Sequence, residues 1–238
     1  MKIIRISVSL LIMLWLIPLM QLIEINAINT GFSVEELDET ARNTFISNVD
    51  LSIIKEEPQK KPIKCFDVNK KGLIAIGQKG QQSKIICIYS SDGDFLYGYT
   101  FNSSGDFGVE WDEETLNVYF VRSDVILSLD SNGNILDIKK VQNTINNNAY
   151  TNDLLYSTDR SVGETTYLIK NDMGILNLFA PSYSQIIVKN STGAENIIYN
   201  VNSMQLYSMI VTMVIIFVFV AIAVIAITRQ FIKKSHNN

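Results

Sequence analysis

Two stretches, KIICIYSSDGDFLYGYTF (residues 84–101) and DVILSLDSNGNILDIKKV (residues 124–141), decide how this chain folds. Each is a run of β-branched and aromatic residues, a short polar break, and a second such run. That is a hairpin signature. Each break carries one glycine, Gly93 or Gly133, where a tight turn needs φ > 0. Superposing the two glycines gives an offset of 40 residues and lays Ile86 on Ile126. A second pattern precedes each hairpin: KCFDVNKKGLIAIG (64–77) in one case, GVEWDEETLNVYF (108–120) in the other. Here Val68 lies on Trp111 and Leu73 on Leu116, at an offset of 43, because the loop after Ala75–Gly77 is three residues longer. The spacing predicts two units of four strands each.

A third unit is less regular. LLYSTDR, TTYLIKNDMG and ILNLF place Gly174 forty-one residues after Gly133. SQIIVKNSTGAENIIYNV (184–201) then repeats the hairpin only nineteen residues after Gly174. It reads either as the outer hairpin of the third unit or as a strand pair closing the domain. The Asn-rich residues 142–152 read as loop.

A repeat of ~40 residues with four strands is the pattern of a β-propeller blade. The sequence Phe66-Asp67-Val68-Asn69 running into Gly72, with the SSDGD and DSNGN turns, resembles the blades of NHL- and YVTN-type propellers. The resemblance covers Ile63–Val201 and implies a mainly β fold of antiparallel four-stranded propeller-like sheets. Propellers close with typically 4–8 blades, so three units imply an incomplete propeller. Its end sheets would leave apolar faces for a partner or a second copy; a closed sandwich is the rival expectation.

Outward from the repeats, the chain divides into five parts. Residues 1–28 open with Lys2 and Arg5 and continue as ISVSLLIMLWLIPLMQLI, a signal anchor or a secretory signal peptide. Residues 29–62 read as a short helix and a charged linker. Ser33-Val-Glu-Glu36 has the form of a capping box, and Val34, Leu37, Ala41 and Phe45 share one helical face, which predicts a helix over Val34–Ser47. Pro58 and Pro62 punctuate the linker KEEPQKK. Residues 63–203 are the β-rich domain. Residues 206–228, LYSMIVTMVIIFVFVAIAVIAIT, carry no charge and are long enough to cross the ~30 Å hydrocarbon core as a helix. Residues 229–238 hold Arg229, Lys233 and Lys234, which marks that tail as cytoplasmic. Both tails are then expected inside a bacterial cell, and the main domain outside its membrane.

Charge and residue types narrow the function. The segment between the two apolar blocks holds all 24 acidic residues and 15 of the 20 basic ones. That acidity argues against nucleic acid as a partner; the expected partners are the lipid bilayer and an envelope protein or second copy. The only histidine is His236, in the tail, so the main domain has no His-based triad or zinc site. The sequence contains no phosphate loop and no GxSxG or SxxK motif. Asp92-Gly93-Asp94 and Asp130 to Asn134 resemble calcium loops, but position 12 from Asp130 is Val141, so they read as turns. Glu110, Asp112, Glu113 and Glu114 surround Trp111, a grouping that could serve a glycosidase and reads better as a solvated turn beside a core tryptophan. Tyr97, Tyr99, Tyr119, Tyr150, Tyr156, Tyr167, Tyr183 and Tyr199 are strand residues or a binding face. Cys65 and Cys87 are expected as free buried thiols, two strands apart in one sheet. No catalytic, cofactor-binding or metal-binding residue is assigned. The expected function is a membrane-anchored extracytoplasmic binding or assembly module; the alternatives are an envelope hydrolase with an unrecognised carboxylate site and a receptor-like sensor.

Overall fold

The computed structural model describes residues 28–80, 83–180 and 182–236, with side chains as far as Arg229. The N-terminal anchor or signal peptide therefore lies outside the described residues. In chain order come β1 (Val34–Glu36), α1 (Glu39–Val49) and β2 (Ser52–Ile54). The first meander follows, with β3 (Ile63–Val68), β4 (Ile74–Lys79), β5 (Lys84–Tyr89) and β6 (Phe95–Phe101). The second has β7 (Phe107–Asp112), β8 (Thr115–Phe120), β9 (Val125–Leu129) and β10 (Ile135–Val141). After α2 (Ile145–Tyr156), the third has β11 (Asp159–Val162), β12 (Thr165–Lys170), the 3-10 helix Gly174–Phe179, β13 (Gln185–Lys189) and β14 (Glu195–Asn200). The chain ends in α3 (Asn202–His236).

The fold is mainly β, with three antiparallel sheets, and the first two predicted four-strand units are present strand for strand. The first sheet sits in the middle. One of its faces presents Cys65, Ala75, Ile86, Ile88 and Tyr99 to Val109, Leu116, Val118 and Leu127 of the second sheet. Its other face presents Phe66, Val68, Ile74, Ile76, Cys87 and Tyr89 to Tyr167, Ile169, Ile186 and Tyr199 of the third. Neighbouring strand residues point to opposite faces. Burial on both faces is thus why KIICIY and LIAIG are unbroken apolar runs, where a half-exposed strand would alternate. Each fully buried side chain of this size contributes about 2 kcal/mol. Cys65 and Cys87 lie on opposite faces of that sheet and are free, as the strand spacing requires.

Two short strands complete the sheets. β1 adds to β10 through Val34↔Val141, and β2 adds to β6 through Ile53↔Tyr99. The pairing of β1 overturns the expected helix over Val34–Ser47. Ser33 is not its cap; its carbonyl accepts from Gln142 N–H and Asn147 Nδ2. Glu35 and Glu36, which suit a first helical turn, instead meet Lys140 and Lys139 across the strand pair. The helix begins one turn later, with Asp38 accepting the Ala41 N–H at 3.0 Å.

Three further expectations are corrected. Residues 142–152 are not loop, because Thr144 caps α2 by accepting the Asn147 N–H at 3.1 Å. The counterpart of Gly93 and Gly133 in the third sheet is Gly193, with φ 80°, in the turn between β13 and β14. Gly174 lies in the β12–β13 connection, which is lengthened by the 3-10 helix and so breaks the repeat spacing. The sheets form no closed ring, and the outer face of the second sheet is not an open end. Tyr119, Ile126 and Val141 there are covered by Phe32 and by Tyr150 and Leu154 of α2.

The antiparallel order gives the domain two distinct ends. The turns holding Gly72, Gly93, Gly133, Gly163 and Gly193 share one of them, the far end. The near end has the β4–β5, β8–β9 and β12–β13 connections and the start of α3. α3 is the one helix among the described residues that is long and apolar enough to cross a membrane.

Candidate functional site

The polar residues converge where β3, β7 and β11, the first strands of the three meanders, meet. Asp67 on β3 is the hub. Its Oδ2 accepts the Trp111 backbone N–H at 2.7 Å, and its Oδ1 accepts Arg160 Nε at 3.0 Å. One carboxylate therefore ties the first sheet to both others. Arg160 also lies with its guanidinium 5.7 Å from the Phe66 ring centre. Burial pushes the Asp67 carboxyl above its ordinary value, and the Trp111 and Arg160 contacts pull against that shift. The contact with the ring and the ion pair together restrain the guanidinium.

Glu110, next along β7, is buried and makes a second cluster. It accepts from Tyr150 Oη of α2 and from Asn117 Nδ2 at 3.3 Å. Asn117 in turn donates to the Asn29 carbonyl at 2.9 Å and accepts from Ser128 Oγ. Desolvation raises the Glu110 carboxyl, and hydrogen bonds from Thr30, Tyr150 and Asn117 oppose it. The cluster fastens the N-terminal segment and α2 over the second sheet. A buried carboxylate needs such partners, because stripping its water is otherwise costly.

The acidic group around Trp111 is thus divided by the fold. Glu110 turns inward, while Asp112–Thr115 is the β7–β8 turn with Glu113 at φ 52°. Glu114 pairs with Lys71, and Asn69 Nδ2 donates to the Glu113 carbonyl at 3.0 Å. Trp111 is half-buried against the core, as expected of a position matching Val68. An open cleft of about 480 Å³ lies between Lys70, Lys71 and this turn. Its charges are mixed and solvated.

Asp130 behaves as a turn residue. Its Oδ1 accepts the N–H groups of Asn132 and Asn134 at 2.9 and 2.8 Å. Burial raises its carboxyl slightly, but the Asn134 and Asn132 donors outweigh that and hold it below the ordinary range. No group of three metal-ligating side chains occurs among the described residues. Of the eight tyrosines named above, Tyr99, Tyr119, Tyr167 and Tyr199 are core. Tyr156 and Tyr183 line a cavity of about 210 Å³ at the near end, with Lys64, Lys79, Lys84 and Asp106. Small-molecule sites usually measure ~300–1,000 Å³, so this cavity is small for one.

Two features escape a reading of the residues alone. Asp67 stood inside the propeller-like motif, but nothing in its neighbours showed that Arg160, 93 positions on, would meet it. That the third sheet has no fifth strand among the described residues was also hidden, because it depends on where β1 and β2 pair. Comparison with protein-family models, curated proteins and solved structures finds no match to this chain.

Proposed function

We propose that this chain is a membrane-anchored extracytoplasmic binding and assembly module with no catalytic activity of its own, and that it takes an extended strand of an envelope partner onto β14. The observation that carries this reading is the inequality of the three sheet edges. The first and second sheets each gain a fifth strand, β2 on β6 and β1 on β10. The third has four, and among the described residues no strand covers the outer side of β14. Glu195, Asn196 and Ile197 are exposed there, Ile197 at 51%. A bare edge presents unpaired N–H and C=O groups and is the usual seat of strand addition.

Other features support the same reading. Asp67 and Glu110, the buried carboxylates a hydrolase would need, are engaged in tying sheets and segments together. The apolar run of α3 is followed, within the same helix, by Arg229, Lys233 and Lys234, which supports a cytoplasmic tail and an outward domain.

The test is a photo-cross-linker at Ile197 of the full chain in native membranes, with one at Asn132 on a far-end turn as reference. A discrete adduct is expected from position 197 alone. Glu195→Pro should abolish it, since proline is tolerated at the start of an edge strand but blocks pairing. An adduct of twice the chain's mass would identify the partner as a second copy. No adduct, or one indifferent to Glu195→Pro, would refute strand addition.

A further inference from the structure

The β12–β13 connection has a composition that suits no soluble loop. From Met173 to Ser184 it contains no charged residue. Its 3-10 helix, Gly174–Phe179, buries none of its own residues. Ile175 is 81% exposed, Leu178 84% and Phe179 65%. Exposed apolar side chains scattered singly are ordinary, but three on one short turn make a patch.

The loop is built, and its base is tied to α3. Asn202 Nδ2 donates to the Asp172 carbonyl at 2.6 Å, and Gln205 Nε2 donates to the Ser182 carbonyl at 2.9 Å. Within the loop, Asn171 Nδ2 reaches the Ser182 carbonyl at 3.0 Å, and the Met173 N–H reaches Asn177 Oδ1 at 2.9 Å. The base is thus held by the amide nitrogens of Asn171, Asn202 and Gln205, while the tip points its apolar side chains outward. Phe179 shares one groove with Ser208, Met209, Thr212, Met213 and Ile216 of α3. The helix advances 1.5 Å per residue, so Ile216 lies about 20 Å beyond its first residue, within the charge-free run. Tyr207, 71% exposed at the head of that run, has the amphipathic ring favoured at a membrane interface.

We propose that the 3-10 turn Gly174–Phe179 is a second membrane element, whose Ile175, Leu178 and Phe179 enter the outer leaflet beside α3. The bilayer is the occupant because the patch continues the surface of the helix that it would share the lipid with. This rests on the reading of α3 as a membrane span. Two points of attachment would hold the three-sheet domain at one tilt and fix the direction in which the β14 edge faces. The loop would lie in the interface rather than cross, as short amphipathic elements do.

The experiment uses the full chain in vesicles of phosphatidylethanolamine and phosphatidylglycerol. A nitroxide spin label is placed on Leu178→Cys, on Phe217→Cys in α3, or on Asn132→Cys at the far end. Cys65 and Cys87 are fully buried, so the label goes to the introduced thiol. Collisions with oxygen report lipid, and collisions with a water-soluble nickel chelate report solvent. The expected result is oxygen contact with nickel exclusion at 178 and 217, and free nickel contact at 132. Nickel contact at 178 with exclusion at 217 would overturn the loop proposal and leave the membrane span standing. Exclusion of both reagents at 178 would mean a protein covers the tip, and would overturn it too. Nickel contact at 217 would remove the span, and the loop proposal with it.

Discussion

Asp67 is the residue whose loss should reach furthest, because one side chain serves three sheets. Its side chain is 14% exposed and that of Arg160 18%. Removing one partner of a pair so placed strands the other, which costs about 3 kcal/mol. Asp67→Ala should therefore lower the urea midpoint of the detergent-solubilised protein well beyond Asp67→Asn, which keeps an acceptor for Trp111. Equal effects would show that the bond from Trp111 adds nothing beyond the ion pair that both variants lose. Glu110 makes a pH statement. Folding raises its carboxyl above the 4.5 of an unperturbed glutamate, with desolvation the leading cause. The folded state then holds its proton longer than the unfolded state. Its contribution is complete below about pH 4.5 and is lost as pH rises through the folded value. Glu110→Gln cannot ionise, so its melting temperature should gain on the wild type's as pH climbs from 4.5 toward neutrality. A constant gap would argue against an upward shift. The thiols of Cys65 and Cys87 are pushed up to about 12, chiefly by burial. Both should resist alkylation in the native protein and react after unfolding; modification without unfolding would contradict their placement.

Among the elements, the hairpin turns were the most legible in the sequence. Gly93 and Gly133 have φ 89° and 81°, as the turn chemistry demanded. They differ in surroundings, and this ranks their variants. A Cβ on Gly93 would come 2.6 Å from the Ile198 carbonyl oxygen, whereas one on Gly133 comes no nearer than 3.6 Å to Ile53. Each alanine should cost about 1 kcal/mol for its backbone conformation, and Gly93→Ala should cost clearly more. Equal losses in thermal unfolding would mean that the β5–β6 turn does not press on β14. The strands of the first two sheets were legible for a related reason: burial on both faces writes a continuous apolar run. Other elements were not. Val34–Glu36 is short, acidic and preceded by a serine, and its strand state depends on Val141, Lys140 and Lys139, which are distant in sequence. The α2 helix is rich in asparagine, a weak helix former. It is held by its cap at Thr144 and by Leu154 and Tyr150 packing on the second sheet. In both cases tertiary contact overrode local preference. Of the site, only the carboxylates' identity could be read in advance; which of them turned inward followed from the β7–β8 turn.

At the scale of the whole molecule, the two ends of the sheet stack carry different chemistry. The far end holds the tight turns and the acidic residues Asp92, Asp94, Glu113 and Glu114. The near end carries the apolar loop Gly174–Phe179 and α3. Charged groups occur at both ends, with Lys64, Lys79, Lys84 and Asp106 at the near one, so the apolar loop and α3 are what mark the near end as the one the proposal sets against the bilayer. In the proposed arrangement the β14 edge, which no strand covers among the described residues, lies along the side of the molecule and within reach of a neighbour in the same membrane. Confinement to a plane raises the effective concentration of such a neighbour.

Sidedness is the claim on which the rest depends, and buried native thiols make it directly measurable. Single cysteines at Asn132, on a far-end turn, and at His236, in the basic tail, are exposed in intact cells to a thiol reagent that cannot cross membranes. The expected result is labelling of Asn132→Cys in intact cells and of His236→Cys only after permeabilisation. Labelling of His236→Cys in intact cells, with Asn132→Cys protected, would contradict an outward domain and a cytoplasmic tail.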